Sequence, residues 1–94
     1  MKYVLNMLEN YLTRLKLDRD CYMHDIIELE RKIHDTQNPS ERYIYLSQRY
    51  KAKSDLHATN QEIERCKKEI ERCKQEIERC ITVLQMIKEE MKGE

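Results

Sequence analysis

The chain contains no Trp and no Phe, and it has a single Gly and a single Pro in 94 residues. With so few breakers, little interrupts a helix. With Gly93 as the only glycine there is also no Gly-rich loop to cradle a phosphate. No charge of one sign prevails: eighteen Lys and Arg balance eighteen Asp and Glu, so no global field draws the chain to nucleic acid or a membrane surface. No stretch approaches the ~20 apolar residues of a bilayer-spanning helix, and no membrane partner is expected. The opening "MKYVLNMLENYLTRLKLD" carries Glu9 and Arg14 among its apolar residues and does not read as a signal peptide. Four cysteines without a secretory signal point to reduced thiols in a cytoplasm.

What is present is charge and helix formers. Charged residues make up 38% and the hydrophobic set 39%. That mix is too charged for a deep globular core and too regular for a disordered chain. It describes one domain of long helix or coiled coil. The scarcity of alanine beside plentiful Lys, Ile, Asn and Tyr reads as codon bias from an AT-rich genome.

Apolar spacing gives the first helix, about residues 2–36. Leu5, Leu12, Arg19, Ile26 and Ile33 occupy heptad position a, and Leu8, Leu15, Tyr22 and Leu29 occupy d, with Arg19 the one polar intruder. The run "HDTQNPSERY" then stops one helix and starts another. Asn38 is a good N-cap, Pro39 suits the first helical position, and Glu41 stands three residues after the cap. A turn at 37–39 makes the neighbours antiparallel. The second helix is expected over about 40–92, with Gly93 as its stop. Its front half holds two competing stripes: Tyr43, Leu46 and Tyr50, against Tyr45, Ala52, Leu56 and Thr59, which runs in phase with Ile63. The conflict implies either a stutter in one long helix or a break near 58–60; the continuous helix is the preferred reading.

Folding about 37/38 pairs residues whose numbers sum to about 75, so Leu12 meets Ile63, Leu8 lies near Cys66 and Leu5 meets Ile70. Beyond about residue 75 the longer helix has no partner within the chain. The fold class predicted is therefore all-α: a long antiparallel helical hairpin with an overhanging C-terminal heptad segment, assembling as a dimer.

The stretch "QEIERCKKEIERCKQEIERC" repeats E-I-E-R-C every seven residues. Ile63, Ile70 and Ile77 fall at a and Cys66, Cys73 and Cys80 at d, continued by Leu84, Ile87 and Met91. These nine residues are the expected self-association seam. In a parallel homodimer Glu62 would face Lys67 and Glu69 would face Lys74, whereas an antiparallel one would set like charges together; the charges favour parallel pairing. Repeat cysteines lie two turns apart, ~10.5 Å along the axis, too far for one helix to assemble a zinc site or an intrachain disulfide. An interchain disulfide at facing d positions is geometrically open. The preferred reading is that Cys is a small buried hydrophobe here. No metal or other cofactor is expected.

No Ser-His-Asp or Cys-His set can be assigned. Cys21 and His24 read as an ordinary surface pair, and the carboxylates suit i,i+3 and i,i+4 partnerships. An enzyme is not expected. Residues 39–60 carry the one local charge excess, a net +2 from Arg42, Arg49, Lys51 and Lys53 against Glu41 and Asp55. Arg42 and Arg49, like Tyr43 and Tyr50, are seven apart. The leading interpretation packs the tyrosines on the first helix with their hydroxyls reaching water. The patch could otherwise bind a protein through Arg42, Tyr43, Arg49, Tyr50 and Lys53, or a nucleic acid through Arg42, Arg49, Lys51 and Lys53, which is the less favoured alternative.

In outline the chain resembles small dimeric helical hairpins that act as adaptors or regulators, a likeness of architecture that carries no function. The expectation is a non-enzymatic protein that self-associates and binds an unidentified protein as an inhibitor or adaptor, in the manner of a phage or mobile-element accessory factor. A nucleic-acid-binding regulator and a purely structural coiled-coil scaffold are the alternatives.

Overall fold

A computed structural model of the protein describes residues 2–93. It is a hairpin of two helices, α1 (Lys2–Asp35) and α2 (Pro39–Lys92), and measures 84 × 15 × 14 Å. Strands are absent among the described residues. No helix there is long and apolar enough to cross a membrane.

The turn is built from local hydrogen bonds. Asn38 sits in an extended conformation (φ −85°, ψ 116°), and its side-chain oxygen accepts from the backbone N–H of Ser40 at 2.9 Å and of Glu41 at 3.5 Å. Those are two of the donors that a helix start leaves orphaned. Glu41 does not reach back to the cap as a capping box would have it. Its carboxylate instead accepts from the Thr36 hydroxyl at 2.9 Å, and that hydroxyl accepts from the Asn38 N–H at 3.3 Å. At the far end Gly93 remains in right-handed geometry (φ −75°, ψ −11°) and donates its N–H to the Glu89 carbonyl, so the helix stops without a left-handed residue.

The seam follows the heptads. In α1 every a and d position from Leu5 to Ile33 is buried or half-buried, including Arg19. In α2 the matching row is Tyr45, Arg49, Ala52, Leu56, Thr59, Ile63, Cys66, Ile70, Cys73 and Ile77. Its spacing alternates four and three without a slip. No stutter is needed, and α2 runs unbroken through 58–60. The Tyr45 stripe is the packing stripe, and Arg49 at a core position is what made it look interrupted.

Contacts across the seam keep the antiparallel register. The Cys66 thiol donates to the Leu8 carbonyl at 3.4 Å, the Tyr11 hydroxyl to Glu62 at 3.5 Å, and the Lys32 ammonium lies 5.7 Å from the centre of the Tyr45 ring. Among the described residues only Leu15, Ile63, Cys66 and Ile70 are buried, with Leu5, Leu8 and Leu12 packed against them. Two helices alone cannot enclose a wider core, since each seam residue has neighbours on one side only. Val4 and Leu8 share a hollow with Cys73 and Glu76, which marks where α1 begins alongside α2. Ile77 is the last half-buried residue; from Glu78 to Gly93 every residue is exposed.

Candidate functional site

The nine residues expected to form one self-association seam divide into two groups. Ile63, Cys66 and Ile70 are 3%, 4% and 8% exposed against the chain's own α1. While the hairpin is closed they cannot also face a second chain, so the parallel pairing drawn across residues 62–74 is corrected. Three of the charges invoked for it have partners within the chain: Glu62 pairs with Arg65 at 2.9 Å and accepts from Tyr11, Lys67 pairs with Glu64 at 3.5 Å, and Glu69 pairs with Arg72 at 3.0 Å. Cys73 and Ile77 are half-buried at the end of the seam. Cys80, Leu84, Ile87 and Met91 lie on the overhang, with Leu84 59%, Ile87 47% and Met91 72% exposed. Ile81, Val83 and Met86 widen that apolar face, and a shallow hollow lined by Arg79, Cys80, Val83 and Leu84 lies on it.

The cysteines are correspondingly unlike one another. Cys66 is buried and its thiol is pushed up by that burial, with the Glu62 carboxylate adding to the shift. Cys21 and Cys80 are exposed and Cys73 is intermediate. Among the described residues no three His, Cys, Asp or Glu side chains converge as metal ligands would.

The packing of Tyr43 and Tyr50 on α1 is a second correction: they are 72% and 79% exposed. Both lie one position past the arginines at 42 and 49, and that single step of the helix carries them off the seam. The cations of the same patch are turned to the hairpin. Arg42 donates to the Thr36 carbonyl at 2.7 Å and bridges the turn. Arg49 is half-buried in the seam row. Lys53 reaches Glu30 of α1 at 3.8 Å. Lys51 leaves the group altogether, lining a hollow on the other flank with Tyr22 and Asp25.

The Lys53–Glu30 pair marks one flank of the hairpin, and heptad spacing shows what else lies there. Leu46 precedes Lys53 by seven residues and Met23 precedes Glu30 by seven, so both share the flank. Tyr43, Tyr50 and Ile27 stand three or four residues from these positions and form its outer rows. Exposure is 47% for Met23, 63% for Ile27 and 37% for Leu46. The result is a five-residue apolar face near the turn, contributed by both helices. Met23 and Ile27 were missed by sequence reasoning, although their off-seam position in α1 was the available signal. The antiparallel register was needed to bring them to Tyr43 and Tyr50.

Between Tyr50 and Ile81 no large apolar side chain of α2 is exposed. The rod thus has two apolar surfaces on its longer helix, one near the turn and one at the tip, separated by a charged middle. No protein family matches the chain, and no curated protein or solved structure matches it either.

Proposed function

We propose that the protein is a non-enzymatic helical hairpin that self-associates through the free end of α2 and binds another protein as a small inhibitor or adaptor. The observation that carries this reading is the concentration of exposed large apolar residues of α2 at two separate places, 43–50 and 81–91. Scattered apolar residues are ordinary on a surface, whereas grouped ones mark contact sites. The face around Tyr43 and Tyr50 suits an apolar protein surface: aromatic anchors bury much area, and each keeps a hydroxyl for one polar contact. Of the four cations that would hold phosphates, Arg42 and Lys53 are engaged by Thr36 and Glu30, Arg49 is half-buried in the seam and Lys51 lies on the other flank, which favours a protein partner over nucleic acid. Free thiols suit a reducing compartment such as a cytoplasm, and a small accessory factor of phage or mobile-element type would have this economy of parts.

The test is affinity capture from cells of the source organism with the native chain and with Y43S/L46S/Y50S. A protein retained by the first and lost by the second supports the reading, provided circular dichroism shows the variant equally helical. Equal capture by both removes the face as a partner site. Binding to polynucleotide that weakens steeply with salt would instead favour the nucleic-acid regulator, since phosphate neutralisation releases counterions.

A further inference from the structure

We infer that two copies pair tail to tail and antiparallel through residues 77–92 of α2, each overhang continuing the line of the other copy's α1. This rests on the self-association proposed above and specifies its occupant and orientation.

The a and d row that packs on α1 up to Ile77 runs on without a slip as Cys80, Leu84, Ile87 and Met91, all exposed. An established helix–helix interface therefore ends where α1 begins, while its apolar half on α2 extends for about four more turns. Whatever covers that extension must lie where α1 would have continued.

A second α2 laid parallel along Ile77–Met91 would bring its own Cys73 and Ile70 alongside the first copy's within two turns. Those residues already carry the first turns of α1 in each copy. Two helices, each about 10 Å across, would then have to fit between two α2 helices that pack at about 8–10 Å. An antiparallel copy meets no such obstacle. Its Lys92 points toward the start of α1, and its own α1 lies beyond the first copy's tip.

In the hairpin, like heptad positions lie level, as in Leu8 with Cys66 at d and, beside the seam, Tyr11 with Glu62. Continuing that rule about a twofold axis at Leu84 sets Ile77 against Met91, Cys80 against Ile87 and Leu84 against its own counterpart. Lys92 of one copy then falls about one turn short of Lys2 of the other. A shift of one heptad inward drives the tip into α1, and a shift of one heptad outward leaves Ile77 and Cys80 uncovered. The contact is isologous and closes at two copies. Charge does not choose the orientation here. The Glu–Lys matching at 62–74 is inside the hairpin, and on the overhang Glu76 opposite Glu90 lies on the solvated flank, where opposition costs little.

The pair would be a rod of about 140 Å, from two 84 Å hairpins sharing ~25 Å. Its two Tyr43/Tyr50 faces would stand about 110 Å apart at opposite ends. That makes the assembled molecule two-headed and able to bridge two copies of a partner.

The experiment is light scattering with small-angle X-ray scattering on the unmodified chain in reductant, over a range of concentration. The expected result is a species of twice the 11.6 kDa chain with a maximum dimension of about 140 Å. A dimer no longer than about 90–100 Å overturns the antiparallel assignment and leaves self-association standing. A monomer throughout overturns self-association itself. Disulfide mapping under mild oxidation gives an independent readout. In the antiparallel pair the two Cys80 residues lie about 12 Å apart along the axis and do not join, whereas in I87C the introduced thiol links to Cys80 of the other copy. A Cys80–Cys80 link in the native chain overturns the assignment.

Discussion

Ile63 and Cys66 occupy the best-buried part of the seam, and their environments fix what a change there costs. Ile63→Ala removes the most enclosed apolar side chain, 3% exposed, from a core that cannot collapse without moving α1. The expected loss is about 2–5 kcal/mol, read from urea melts at fixed protein concentration. Tyr50→Ala, at 79% exposure, should change the same melts by no more than about 0.5 kcal/mol. Cys66 carries a signature in pH. Its thiol is raised in the folded state by burial and then by Glu62, so folding favours the protonated form. That contribution is fully present below the unfolded thiol value of about 8.5 and is lost as pH rises toward the folded one. As pH rises above about 8.5, melting temperature should therefore fall more for the native chain than for Cys66→Ala. A thiol reagent at neutral pH should label the exposed Cys21 quickly and Cys66 only as the hairpin opens. Equal labelling of the two would mean that Leu8 does not cover Cys66.

At the scale of the element, the turn was legible in the sequence because capping is local chemistry. Asn38, Pro39 and Glu41 are read in one glance, and the cap forms as their order implies. Arg42 was not legible as part of it, since its bond to Thr36 spans the turn and needs both helix ends in place. Asn38→Ala should cost about 0.5–2 kcal/mol by orphaning the N–H groups of Ser40 and Glu41, and a stability measurement on the reduced chain checks it. The continuity of α2 makes a second prediction. Ala58 is exposed and mid-helix, so Ala58→Pro should cost about 3 kcal/mol or more and lower the ellipticity at 222 nm. An unchanged spectrum would indicate a break already present at 58–60. The two stripes of the front half looked equivalent in sequence because Arg49 interrupts the one that packs. A long side chain can bury its stem in a seam and keep its charge near water, a possibility that a polar/apolar count does not register.

For the whole molecule, the decisive fact is the mismatch of lengths. Thirty-four residues of α1 cannot cover fifty-four of α2, and the remainder is apolar along the same row. If that row is covered by a second chain, stability depends on mass action. The melting temperature of the native chain should rise over about a hundredfold increase in concentration, and that of Leu84→Glu should not. A flat response in both would show the overhang uncovered at those concentrations. Y43S/Y50S should leave the concentration dependence unchanged, because that face lies near the turn and the shared segment lies at the tip.

The sequence by itself determined the helices, their turn, their antiparallel sense and the row of residues between them. Those follow from local propensity, capping and a seven-residue period, all of which are properties of neighbours along the chain. Only the tertiary structure decided which claims on that row could hold together. Ile63, Cys66 and Ile70 suit a partner chain and α1 equally well by pattern, but one face of a helix has room for one neighbour, and α1 takes it. The same packing turned Tyr43 and Tyr50 outward, drew Arg42 and Lys53 into the hairpin, and set Met23 and Ile27 beside the tyrosines. Residues some twenty positions apart in sequence meet on one flank because the register of two helices, rather than the period of either, places them there.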